Sequence, residues 1–337
     1  MDSLSDYCYH LPEELIAQQP LEDRSSSRLL WLHLDSGEVT HHHFRDLTTL
    51  LKAGDLLVVN NTRVKARRLF GVKSTGGKVE ALLLSQESQG VYRVLCKPAS
   101  SIRIGTTIHF GKELDATVIE VEESGVRLFD FGTAPETENQ INSLGEVPLP
   151  PYITERLKDE ERYQTVYSST GFSAAAPTAG LHFTPEVFSA LNQKGIGRAE
   201  VCLDIGIDTF QPIRSETLEE HKMHGETCLI STETADAVNR AKGRVLAVGT
   251  TVVRTLESMA DPEGKIHPGE KVTRLFIQPG YRFRRVGGMI TNFHMPGSTM
   301  LVMISAFAGR AAVLRAYEEA VAKQYRFLSF GDAMLIL

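Results

Sequence analysis

Between Ala66 and Phe131 about six short β-type runs follow one another, punctuated by Gly and Pro and with no helical period between them. No other feature limits the fold as much. The runs are Arg68 to Lys73, Lys78 to Ser85, Val91 to Lys97, Thr107 to Phe110, Ala116 to Glu122 and Val126 to Phe131. Short strands at such near-regular spacing read as a small barrel or sandwich. The flanks read differently. Before the block come strand Arg28 to Leu34, a turn at Asp35-Ser-Gly37, strand Glu38 to His43 and a buried strand Asp55 to Val59.

After the Pro-rich joint Val147-Pro-Leu-Pro-Pro-Tyr152, strands and helices alternate. Helices are expected at Pro185 to Lys194, Thr232 to Lys242 and Val252 to Ala260, with strands Arg198 to Leu203 and Arg244 to Val248 among them. Two helices, near Ser298 to Ala308 and Ala311 to Gln324, are expected to close the chain. Alternation of this kind implies a layered α/β main domain. The simplest organisation is a main domain from residues 1–65 and 150–337, with an inserted small β-barrel domain at 66–149.

Composition sets the class. The 337 residues are 42% hydrophobic and 23% charged, which is ordinary for globular protein. Net charge is -6, so a nucleic-acid partner has to be met by a local basic patch. Four scattered cysteines form no CxxC pair, so neither a zinc site nor a disulfide framework is expected and a reduced cytosolic setting fits. The N-terminus lacks the basic-then-apolar pattern of a secretion signal. The longest apolar run, Met300 to Ala308, is too short for a membrane span.

Three segments carry polar groups suited to chemistry. Val245-Leu-Ala-Val-Gly-Thr-Thr-Val-Val-Arg254 is an apolar strand, a Gly turn and a helix start, a junction that aims backbone N–H groups at an anion. The bland alternative is that Thr250 or Thr251 only caps the helix. Arg254 and Glu257 are one turn further on and are expected to face the same cleft. Ala176-Pro-Thr-Ala-Gly-Leu-His-Phe-Thr184 precedes a helix with Thr184 as cap and Pro185 at its first position. There Gly180 permits close backbone approach, and Thr178 and His182 are polar groups in a small-residue loop. Ile290-Thr-Asn-Phe-His-Met-Pro296 reads as a similar polar loop.

His221 and His224, spaced i, i+3, are expected to share a helical face, but no third ligand at motif spacing supports a metal. A histidine cluster suits acid/base work near neutral pH better, and the His41-His-His43 run reads as solvated surface. Basic residues gather at Arg63, Lys65, Arg67, Arg68 and Lys73, and at Arg282, Arg284 and Arg285 beside Tyr281 and Phe283. Basic and aromatic interleaving suits phosphate contact and base stacking, although each cluster alone also reads as a solvated face. Neither GxGxxG after a strand nor GxxxxGK[ST] nor GxSxG occurs, which argues against a Rossmann dehydrogenase, a P-loop kinase and an α/β-hydrolase.

Taken together these segments resemble the S-adenosylmethionine:tRNA ribosyltransferase-isomerase family of queuosine biosynthesis along nearly the whole chain. Carriers include Leu15-Ile-Ala-Gln18, Ser27-Arg-Leu-Leu30, Gly54-Asp-Leu-Leu-Val-Val-Asn-Asn-Thr-Arg63, Gly76-Gly-Lys-Val-Glu80 and Tyr163-Gln-Thr-Val-Tyr167. In the second half they are Ala175 to Thr184, Ala247 to Arg254, Pro279-Gly-Tyr281, Thr291-Asn-Phe-His294, Ser305-Ala-Phe-Ala-Gly309, Tyr325-Arg-Phe327 and Gly331-Asp-Ala-Met334. The resemblance implies a β-barrel inserted into an α/β domain. It also implies transfer of the ribosyl part of S-adenosylmethionine to 7-aminomethyl-7-deazaguanine at the tRNA wobble position, giving epoxyqueuosine, adenine and methionine. S-adenosylmethionine would then be a consumed substrate, with no cofactor or metal expected; tRNA would be the partner, the chain a monomer and the setting cytoplasmic.

That reaction needs a base for a C5′ proton acidified by the sulfonium, and an acid for adenine departure. His182, His294 and His224 are the candidates for proton transfer. Thr178, Gly180, Gly249, Thr250, Thr251, Arg254, Tyr281 and Asn292 are the substrate-binding candidates, and Arg63, Arg67, Arg68, Arg282 and Arg284 the tRNA-binding ones. The chain departs from the family pattern at Asp204 (commonly histidine), Asp208 (glycine), Gly287 (aspartate) and Gly297 (basic), the last two reading as a lost ion pair. The alternative reading is a tRNA-binding relative of the same fold with impaired catalysis.

Overall fold

The computed structural model describes residues 3–206, 217–221 and 223–337. In chain order its strands are β1 (Arg28–Leu32), β2 (Val39–His43), β3 (Leu56–Asn60), β4 (Thr62–Val64), β5 (Arg67–Lys73), β6 (Lys78–Ser88), β7 (Val91–Lys97), β8 (Thr107–Phe110), β9 (Leu114–Val121), β10 (Arg127–Asp130) and β11 (Thr170–Ser173). There follow β12 (Gly197–Leu203), β13 (Glu226–Ile230), β14 (Val245–Val248), β15 (Gly269–Thr273), β16 (Gly288–Asn292) and β17 (Ala333–Ile336). The helices are α1 (Leu47–Leu50), α2 (Thr137–Leu144), α3 (Pro185–Gln193), α4 (Thr232–Arg240), α5 (Thr250–Met259), α6 (Thr299–Ala308) and α7 (Arg310–Ala322).

Two compact units result. One comprises 1–62, 151–170 and 176–337; the other comprises 63–150 with 171–175. In the larger unit nine strands form one sheet in the order β15-β13-β12-β3-β14-β16-β17-β1-β2. The central strands β12, β3, β14 and β16 run parallel, whereas β17 pairs antiparallel with β16 and parallel with β1. Strands buried on both faces must be apolar throughout, and every residue of β3, β14, β16 and β17 is buried. Alternate residues serve alternate faces. Leu56, Val58, Val245, Ala247 and Met289 pack with Val252 and Leu256 of α5, Leu301 of α6 and Val313 of α7. Leu57, Val59, Leu246, Val248 and Ile290 pack on the opposite face with Phe44, Leu47, Phe183 and Leu191. The architecture is therefore helix, sheet, helix.

The smaller unit is a closed barrel in the order β10-β7-β6-β5-β8-β9, built from the six runs read in the sequence, with ends shifted by at most three residues. Its interior holds Leu69, Val94, Ile108, Phe110, Val118 and Phe129. At Gly71 a Cβ would lie 2.7 Å from the Phe110 ring and 2.8 Å from Ile108, so glycine is what lets β5 approach β8.

Several expectations are corrected. Helix α2 lies in a stretch that carried no apolar period, because only Thr137 and Ile141 on it are buried. Strand β17, not a helix, ends the chain, and Ile290–Asn292 is strand rather than loop. Residues 217–221 and 223–226 hold no helix, so His221 and His224 share no helical face. Helix α5 begins two residues before the expected start, with Gly249 at its cap, so Thr250 and Thr251 are inside its first turn and do not cap it by their side chains. No single helix among the described residues is long and apolar enough to cross a membrane.

At the start of β3, the 3%-exposed Asp55 accepts from the Arg244 backbone at 3.0 Å, from Arg244 Nε at 3.1 Å and Nη2 at 2.6 Å, and from the Lys52 N–H at 2.8 Å. It thereby fixes β3 to the entrance of β14, and these bonds hold its carboxyl below the usual range despite the opposing effect of burial. Asp55→Ala leaves the Arg244 charge and two amides without an acceptor; chemical denaturation should show a loss of about 3 kcal/mol.

Candidate functional site

In open α/β sheets ligands bind beyond the carboxyl ends of the strands, where strand direction reverses. Here that place is the β16/β17 boundary. Asn292 ends β16 opposite Ala333, the first residue of β17, and Ala333 in turn lies beside Leu29 of β1. The ends of β3, β14 and β16 thus meet the beginnings of β17 and β1.

The buried side chains at this edge form one hydrogen-bonded series. Asn292 is 3% exposed; its Oδ1 accepts from Thr178 Oγ1 at 3.1 Å, and its Nδ2 donates to Leu328 O at 3.2 Å and to His182 Nε2 at 3.2 Å. Because a carbonyl can only accept, the amide orientation is settled, and His182 Nε2 must be the unprotonated nitrogen. His182 Nδ1 then donates to Ser27 Oγ at 2.8 Å, and Ser27 donates onward to Arg24 O at 3.3 Å. Phe44 stacks on the imidazole with ring centroids 5.0 Å apart. Burial, reinforced by the Arg326 and Arg24 charges, lowers the His182 pKa to about 3, so the ring is neutral at pH 7.

The loop bearing His182 also reaches the start of α5. A Cβ on Gly249 would lie 3.7 Å from that of Ala179. Gly249 has φ +91°, which glycine adopts without strain. Beside it Asn60, fully buried, donates to Thr251 Oγ1 at 3.3 Å and to Leu203 O at 3.0 Å, while its Oδ1 accepts from Leu203 N and Thr62 N, each at 3.1 Å. Thr62 in turn donates to Asp204 Oδ1 at 2.7 Å. Gly180 is small for Tyr167, whose hydroxyl would lie 2.0 Å from a Cβ there.

The fold therefore gathers His182, Thr178, Gly180, Asn292, Gly249, Thr250 and Thr251. His294 is separated from them. Thr291 and Asn292 are consecutive in a strand and point to opposite faces, and His294 bonds Thr291 at 2.7 Å whereas His182 bonds Asn292. Burial lowers the His294 pKa to about 3 as well. Arg254 faces Glu226 in a buried ion pair and also donates to Leu275 O at 3.2 Å. Glu257, instead of sharing a cleft with Arg254, accepts from Tyr281 Oη at 3.2 Å and from the amides of Arg284, Arg285 and Val286. Those residues precede β16, so Tyr281 and Arg284 sit toward its amino end, away from Asn292. Arg282 is exposed, as is His224.

In the barrel unit Arg68 pairs with Glu80 at 3.2 Å, Arg67 donates to Ala66 O at 3.2 Å, and Arg63 is half-buried. His41 and His43 are exposed, as the solvated-surface reading expects, and His41 also bonds Tyr325 at 2.7 Å and Glu319 at 2.9 Å. Gly287 would meet Arg244 and Val245, and Gly297 would meet Leu4 and Cys8; β16 lies between them, so the lost ion pair is not supported. Asp208 lies outside the described residues. Sequence reasoning missed Ser27, Asn60 and Thr62 as site residues, although the motifs Ser27 to Leu30 and Gly54 to Arg63 contained them.

The queuosine biosynthesis protein family matches residues 4–336. An S-adenosylmethionine:tRNA ribosyltransferase-isomerase of Carboxydothermus hydrogenoformans is 52% identical over 99% of both chains, and one of Caldanaerobacter subterraneus subsp. tengcongensis is 48% identical over the same shares. A crystal structure of S-adenosylmethionine tRNA ribosyltransferase from Thermotoga maritima is similar with a TM-score of 0.57 and 36% identity, covering 99% of this chain and 100% of that one.

Two outcomes follow from the packing. Gly180→Ala should destabilise by about 1 to 3 kcal/mol and Tyr167→Phe, by removing the clashing hydroxyl, should restore part of the loss in thermal unfolding. Both buried histidines have folded pKa values below the unfolded 6.5, so their contribution is complete above pH 6.5 and declines as pH falls toward 3. At pH 5 each should have cost about 2 kcal/mol relative to pH 7, and His182→Asn should flatten the dependence of unfolding free energy on pH by that amount.

Proposed function

The chain belongs to the queuosine biosynthesis protein family, and from that membership we propose that it is an S-adenosylmethionine:tRNA ribosyltransferase-isomerase. It moves the ribosyl part of S-adenosylmethionine onto the aminomethyl nitrogen of 7-aminomethyl-7-deazaguanine in the tRNA anticodon, releasing adenine and methionine. The observation that carries this reading is identity of about half over the whole length of relatives so named. S-adenosylmethionine is consumed, tRNA is the acceptor, and the chain works as a monomer in the cytosol.

The edge built by Asn292, Thr178, His182 and Gly249–Thr251 supports a donor site. The first amides of α5 lie at the positive end of the helix, suited to a polar or anionic group of the donor. A neutral His182 presents a bare Nε2 able to accept a proton, and because burial and neighbouring positive charge make it a weak base, the C5′ proton has to be strongly acidified by the adjacent sulfonium. His182 serves as base for that proton, with Asn292 holding the lone pair in place until substrate displaces its amide. Adenine departure takes its proton from another donor. The wobble base reaches the site from a single-stranded loop, where splaying a nucleotide out is least costly. Arg63, Arg67, Arg68, Arg282 and Arg284 contact tRNA phosphates.

Incubation with S-adenosylmethionine and tRNA bearing the deazaguanine should release adenine and add a ribosyl-derived mass to the tRNA. Binding of that tRNA without adenine release would instead identify a relative with impaired catalysis. His182→Ala should lower kcat at least a hundredfold; unchanged turnover would remove it from proton transfer.

A further inference from the structure

The outer face of the barrel carries apolar surface that its core does not use. Side chains alternate along β5, so Leu69 enters the core while Arg68, Phe70 and Val72 point outward. Phe70 is 58% exposed and Val72 42%. Two residues beyond the Val72–His109 pair, the register of β5 and β8 brings Gly111 beside Phe70. Leu144 of α2, 43% exposed, lies 3.3 Å from where a Cβ on Gly111 would be. Phe70, Val72 and Leu144 thus form one exposed apolar patch centred on an aromatic ring. Toward β6 and β7, Phe70 is opposite Glu80 and Glu80 opposite Lys97, while Val72 is opposite Lys78. Lys78 and Lys97 are exposed. The carboxylates beside the ring are engaged, Glu80 by Arg68 at 3.2 Å and Asp115 by His109 at 2.7 Å. On a chain of net charge -6, the ring therefore has a cationic rim.

We propose that this face is a stacking surface for an unpaired base of the acceptor tRNA, with the base on the Phe70 ring and adjoining phosphates on Lys78 and Lys97. The assignment rests on the reaction proposed above, which makes tRNA the acceptor, and deepens it. An exposed phenyl ring offers any base a flat apolar partner, and cations beside it take the charged backbone that such a base brings. Lys97 is two strands from Phe70, roughly 10 Å at the backbone, and its flexible four-carbon stem lets the ammonium reach a phosphate next to the stacked base. An apolar protein surface fits less well, because covering the patch would strip Lys78 and Lys97 of water without supplying a counter-charge. Paired RNA also fits less well, since its bases are already stacked on one another.

Fluorescence anisotropy of labelled tRNA bearing the deazaguanine, measured across a salt series, tests the surface. Phe70→Ala should weaken binding about tenfold. Phe70→Trp should keep it, and Phe70→Leu should behave like Phe70→Ala, because leucine restores apolar bulk without a plane to stack on. The slope of log affinity against log salt should stay the same in Phe70→Ala and become shallower by about 0.7 to 0.9 in Lys97→Gln, the loss of one phosphate contact. Both side chains point away from the barrel core, so thermal unfolding and affinity for S-adenosylmethionine should be unaltered. Should Phe70→Ala unfold earlier, the salt slope of Lys97→Gln reads the surface independently. Full tRNA affinity in Phe70→Leu overturns the proposal, as does an unchanged slope in Lys97→Gln. A changed sedimentation coefficient in Phe70→Ala with tRNA affinity intact also overturns it, marking a protein contact instead. Failure of the unaltered chain to bind tRNA overturns the acceptor assignment itself, whereas tRNA binding indifferent to these substitutions overturns the surface alone.

Discussion

The reversal of strand direction between β16 and β17 is the constraint on which the rest of the site depends. Four parallel strands deliver Leu203, Asn60, Val248 and Asn292 to one edge of the sheet, and the antiparallel β17 returns Asp332 and, through β1, Ser27 to that same edge. Helix starts and strand ends then face one another. Had β17 run parallel to β16, Ser27 would lie at the far edge and His182 would lose the acceptor for its Nδ1 proton.

Two buried asparagines give that edge its rigidity. Asn60 ties β3 to β12 and to α5, and Asn292 ties β16 to the His182 loop and to Leu328. Each uses both ends of its amide, which is the condition under which a polar group is tolerated in a core. The same burial that orders the network strips His182 and His294 of their charge at neutral pH. By burial these two histidines differ from the exposed His224, and by the face of the sheet each occupies they differ from one another.

The barrel unit solves a different problem. Six strands of modest length, closed on themselves, leave no edge to pair with other chains, and their alternating interior residues make a separate core. The larger unit has open edges instead, and β15 at one of them is exposed at four of its five positions, with Glu270 and Lys271 placing charge on an edge where pairing with a further strand is to be discouraged.

Local pattern in the sequence determined the barrel, the α/β alternation, the cap at Thr184 and the junction Val248-Gly249-Thr250, because each is encoded by residues within a few positions of one another. The family resemblance also marked the segments that carry the site. What tertiary structure alone decided is which of those segments meet. No local rule places Ser27 beside His182, 155 residues away, or Asn60 beside Thr251, 191 away. Nor does any predict that Tyr281 is bound to Glu257 while Arg254 faces Glu226. Short strands such as β16 and β17 have too few residues to declare a period, and their direction follows from the packing of helices over both faces of the sheet. That direction separates His182 from His294 and makes Asn292 the partner of His182.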